Sequence, residues 1–154
     1  MLQRLREEHR QIIRIMDRVE TALFPAGAPE VVQIGEARWE TQYILRDHFA
    51  YKDAFIYRIL ASSGSAKAVV TCRRLRAYEA KIRKAYHNHL ARRDPSDMQA
   101  NWKAYRAASL EMIRQLRHLV DLEKRDLYPL LESDAAIAQP ARTPSFEMRM
   151  SATV

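Results

Sequence analysis

Cysteine, glycine and long apolar runs are what this chain of 154 residues has least of. A single cysteine, Cys72, excludes an internal disulfide and suits a reducing compartment. No apolar stretch approaches the length that crosses a bilayer, and the opening "MLQRLREEHR" lacks the apolar centre of a secretory signal. A soluble cytoplasmic protein with no membrane role is therefore expected. Only three glycines are present, and Ala, Leu, Arg, Lys, Glu, Met and Gln dominate, which is the composition of a helical protein. The length suits one well-packed domain and is short for two.

Basic residues exceed acidic ones, for a net charge of +7. The densest stretch is "CRRLRAYEAKIRKAYHNHLARR", where the charges alternate with Leu75, Ile82 and Leu90 instead of gathering in a tail. That pattern reads as the solvated face of a helix. A nucleic-acid interface is not expected, and an acidic protein partner stays open.

Proline and glycine divide the chain. Helical segments are expected at about 2–23, 30–61, 66–93 and 97–132, separated by "FPAGAPE", "SSGS" and "DPSD". Apolar residues recur every three or four positions, as in Leu2, Leu5, Ile12, Met16 and Val19, which is the core-facing period of a helix. Four such segments with short breaks predict an all-α, up-down-up-down four-helix bundle over 1–132. Residues 133–154 carry two prolines and no sustained period, and read as a flexible C-terminal tail.

Polar residues interrupt the apolar stripes at a few positions. His9 falls between Leu5 and Ile12, Glu79 between Leu75 and Ile82, and Glu123 between Val120 and Leu127. Carboxylates in a bundle core pair, protonate or coordinate a cation. An offset of seventy residues aligns "LREEHRQI" with "LRAYEAKI", and takes His48 to His118 and Asp53 to Glu123. His9, His48, Asp53, Glu79, His118 and Glu123 are thereby candidate metal ligands, with His48, Glu79 and His118 at one depth of the bundle and His9 somewhat nearer its helix start. His87 and His89 lie further along and suit the end of the third helix. Tyr51, Tyr57 and Tyr78 read as wall-packing aromatics with wet hydroxyls, and Trp39 and Trp102 as packing residues.

The stretches "REEHRQI", "RDHFAYKDAFIY" and "RHLVDLEKRDLYPLL" resemble the hemerythrin-like, or HHE cation-binding, family over residues 2 to 132. The last resembles the family's histidine, an acid five residues on, then a Tyr-Pro that closes the helix. The resemblance implies a four-helix bundle holding a non-haem di-iron centre that binds or senses oxygen, nitric oxide or redox state. A binding or sensing role is thus expected ahead of an enzymatic one. Position by position, His9, His48, His118 and Glu123 match.

Two positions depart from the family. Lys52 stands where a bridging glutamate is usual, and Glu79 where a histidine is usual. An ammonium has no lone pair for a metal. One resolution gives the role to Asp53; five residues advance a helix by about 140°, so this needs altered winding such as a π-bulge. The other makes Lys52 an ion-pair partner of Glu79 or Glu123, leaving a metal-free core that serves as an interaction or regulatory module. With a metal present, imidazoles and carboxylates suit iron, then manganese or zinc, and a small diatomic ligand.

Overall fold

The computed structural model describes residues 1–24, 31–91 and 100–137. Every regular element among them is helical: α1 (Leu2–Ala22), α2 (Val31–Tyr51), a π-helical turn (Lys52–Ile56), α3 (Tyr57–Ser62), α4 (Ala66–Ala91), α5 (Trp102–Asp126) and α6 (Tyr128–Ile137). These make four long helical runs, because α2, the π turn and α3 follow one another without a gap, and α6 continues α5 past Leu127. The breaks expected at "PAGAPE" and "DPSD" lie outside the described residues. At "SSGS" the turn uses Gly64 at φ +72°, a conformation costly for any side chain, and the Ser65 hydroxyl accepts the Ala68 N–H to cap α4.

The fourth run differs from expectation at its end. Tyr128–Pro129 does not close the helix. The backbone stays helical through Leu127, whose N–H bonds the Glu123 carbonyl at 2.9 Å, and Pro129 sits in the first turn of α6, where a missing N–H is harmless. The helix then continues to Ile137, so residues 133–137 are helical and not tail. Residues 138–154 lie outside the described residues. Among the described residues no helix is long and apolar enough to cross a membrane.

Two apolar clusters fill the interior. One gathers Ile12, Met16, Leu45, Ile82, Leu116 and Leu119; the other gathers Leu5, Ile56, Tyr57, Leu60, Leu75 and Leu127. Each such side chain contributes roughly 1.5–3 kcal/mol by leaving water. On every run the residues between the two clusters are polar and buried: His9, His48 with Lys52, Glu79, and Glu123. The fold thus sandwiches one charged layer between two greasy ones. Trp102 stacks on Tyr105 as a packing residue should, whereas Trp39 is 74% exposed and lies outside the core.

Candidate metal centre

The geometry of the charged layer begins with the π turn. The Tyr57 N–H bonds the carbonyl of Lys52, five residues back, and the widened turn brings both side chains to the core side. Lys52 Nζ donates to Glu79 Oε1 at 2.7 Å, and the Tyr57 hydroxyl donates to the same oxygen. Lys52 also donates to Glu123 Oε1, and its ammonium lies 5.0 Å from the Phe49 ring centroid. The ion pair expected of Lys52 is therefore formed with both carboxylates, at zero exposure for the lysine.

Glu123 divides its two oxygens. Oε1 faces Lys52, while Oε2 lies 2.8 Å from His9 Nε2 and 3.3 Å from His48 Nε2. The second distance is not a hydrogen bond, because its alignment fails, and His48 Nε2 is left buried without a partner. The other nitrogen of each ring is held from outside the cluster. His48 Nδ1 lies 2.9 Å from Glu8 Oε2, and Glu8 is in turn held by Arg4 at 2.8 Å. His9 Nδ1 lies 2.7 Å from the Tyr128 hydroxyl, whose ring stacks on the imidazole.

These contacts assign the protons. An ionised Glu8 can only accept, so His48 in its neutral form carries its hydrogen on Nδ1 and presents a bare lone pair at Nε2. That lone pair faces Glu123 Oε2, another electron-rich atom, with nothing between them to satisfy both. A cation between them would do so. His9, His48 and Glu123 each offer one ligand atom, and the three atoms lie within 4.8 Å of one another.

Electrostatics keep His9 neutral and Glu123 ionised. Desolvation lowers the His9 pKa, which favours the neutral imidazole. Burial alone would raise the Glu123 carboxyl, but Lys52 outweighs it, with the hydrogen bond from His9, and holds it well below the usual range. Burial likewise opposes ionisation of Glu8, and the hydrogen bonds from His48 and Arg4 overcome it, so its pKa is lowered. Desolvation, then Glu79 and Glu123, raise the Tyr57 phenol far up, so it stays a donor.

Of the six ligands expected from sequence, the structure brings His9, His48 and Glu123 together, and Glu79 adjoins them through Lys52. Asp53 and His118 are elsewhere. Asp53 is half-exposed and pairs with Arg83 at 2.8 Å and Arg76 at 3.6 Å. The π turn that was to bring it inward brings Tyr57 instead. His118 is exposed, with its ring edge against Tyr78, because five residues of regular helix separate it from Glu123 by about 140°. The seventy-residue repeat is thus broken: the second run uses the histidine of its pair and the fourth uses the acid.

Sequence reasoning missed Glu8 and Tyr128, and gave Tyr57 a wet hydroxyl that is in fact buried on Glu79. Glu8 stands four residues before Ile12 and three after Leu5, the spacing of an inward-facing position. Tyr128 was visible only as part of Tyr-Pro. Comparison with protein-family models, curated proteins and solved structures finds no match to this chain.

Proposed function

We propose that this chain is a hemerythrin-like up-and-down bundle that binds one divalent metal ion, iron foremost, and through it binds or senses a small molecule such as oxygen or nitric oxide. The reading rests on one observation above the others: the partnerless Nε2 of buried His48, converging with His9 Nε2 on Glu123 Oε2. Glu8 and Tyr128 hold the far ring nitrogens, which is how metal-ligating histidines are oriented in general. Two imidazoles and one carboxylate on a single face suit iron(II) with open positions; manganese and zinc are weaker fits. An ion there would supply Lewis acidity and, as iron, a redox couple. The opposed numbering of cross-helix contacts, Arg18 with Glu40 but Glu8 with His48, agrees with the up-and-down arrangement.

On this reading Lys52 takes the place of a second ion, and the centre is mononuclear. Anaerobic reconstitution with ferrous iron and elemental analysis should give one iron per chain, lost in His48→Ala. A folded, helical protein that retains no iron would overturn the proposal, and two irons per wild-type chain would overturn its mononuclear form.

A second reading is favoured by the burial of Lys52 between Glu79 and Glu123. There Lys52, with Arg83 at 3.4 Å from Glu79, offsets the two carboxylates without a metal, and the bundle serves as an interaction or regulatory module, with an acidic protein as the fitting partner for its basic surface. The same iron analysis separates the two.

A further inference from the structure

A second feature of the interior lies away from the charged layer. A cavity of about 50 Å³ is lined in part by Met16, Thr41, Tyr86 and Leu116. Each of these stands seven residues along its helix from His9, His48, Glu79 and Glu123 respectively, a rise of about 10 Å. Ile12, Leu45, Ile82 and Leu119 lie between in sequence and pack together, so the cavity is a site of its own.

Most of its polar lining is already engaged. Ser109 Oγ lies 3.2 Å from His89 Nε2, Thr41 donates to the Ala37 carbonyl, and Arg38 donates to the Leu90 carbonyl. The Tyr86 hydroxyl, by contrast, is buried without a hydrogen-bond partner among the described residues. Desolvation raises its pKa, so it remains an O–H donor. An orphaned buried hydroxyl is destabilising, and an apolar void beside it forfeits packing as well. One small guest would relieve both.

We propose that this cavity binds a small neutral molecule, mostly apolar and carrying one hydrogen-bond acceptor, such as a short ketone, aldehyde or alcohol, with the acceptor bonded to the Tyr86 hydroxyl. The volume is about a third of the ~150 Å³ cavity that takes up benzene elsewhere, which limits the guest to a molecule smaller than benzene. Met16 and Met112 line the wall, and their flexible thioethers let it adjust to the guest.

The test uses the full chain, with or without metal, and two probes of one shape: acetone, which has an acceptor, and 2-methylpropene, which has none. Methyl resonances of Met16 and Met112 report binding by NMR. Acetone should shift them saturably, and Tyr86→Phe should weaken acetone at least about fivefold while leaving 2-methylpropene unchanged. Without ligand, Tyr86→Phe should be at least as stable as the parent, because it removes an unsatisfied group. The proposal is overturned if folded protein shows no saturable shift, or if Tyr86→Phe binds acetone equally well. A destabilised Tyr86→Phe would overturn it too, since a structural water would then already hold the hydroxyl.

Discussion

At the scale of single residues, Lys52 decides the character of the charged layer. Lys52→Met would leave Glu123 buried without a cation and Glu79 with only Arg83 at 3.4 Å, and a loss of about 3–5 kcal/mol is expected in urea unfolding of metal-free protein. Added divalent metal should restore part of that loss, since a cation can then replace the ammonium. Tyr57→Phe deletes one donor to Glu79 and should cost about 1.5–3 kcal/mol on the same assay, as expected for a hydrogen bond to a charged group. A variant no less stable than the parent would mean the phenol contributes nothing there. Residues of this kind were legible where they broke an apolar stripe, as His9, Glu79 and Glu123 do. His118 was not: it gained its place from a repeat and a motif, although its 140° offset from Glu123 was computable from the sequence. The same arithmetic set Asp53 apart from His48 and applied equally to His118.

At the scale of elements, the four runs could be read from their period and their breaks, whereas the π turn was legible only as a condition for bringing Asp53 inward. Spacings of three and four mark a helix but do not distinguish an α-turn from one widened by a residue. The extra residue appears because Lys52, Ile56, Tyr57 and Leu60 all reach the core, and a plain α-helix would turn Tyr57 about 140° away from Lys52. Deletion of exposed Ala54 should therefore be tolerated: it makes the segment regular and leaves Tyr57 four residues from Lys52. Deletion of Ala50 in α2 should instead turn Lys52 about 100° out of the core and abolish cooperative unfolding. Comparing the two urea transitions checks this; equal damage from both deletions would mean the π turn holds no spare residue.

At the scale of the whole molecule, the fold class followed from composition and period, because a helix buries whichever stripe is apolar. The layering of charge between two apolar clusters did not, since it depends on how the four runs align along their length. That layer makes the protein acid-sensitive in a direction that can be worked out. The folded pKa values of His9 and Glu123 are both depressed, so the unfolded chain binds protons first as pH falls. Stability of chelator-treated protein should hold above about pH 6.5, decline as His9 enters its window, and decline again below about pH 4.5 through Glu123. Denaturant midpoints that stay flat from pH 7 to 4 would contradict this. Metal at a hundred times its dissociation constant should raise stability by about 2.7 kcal/mol, and a chelator should reverse the gain. The chelator has no such hold on Lys52. Its ammonium is an ion on a leash, delivered by translation in fixed ratio to the carboxylates it faces, and neither dilution nor scarcity in the surroundings can empty its seat.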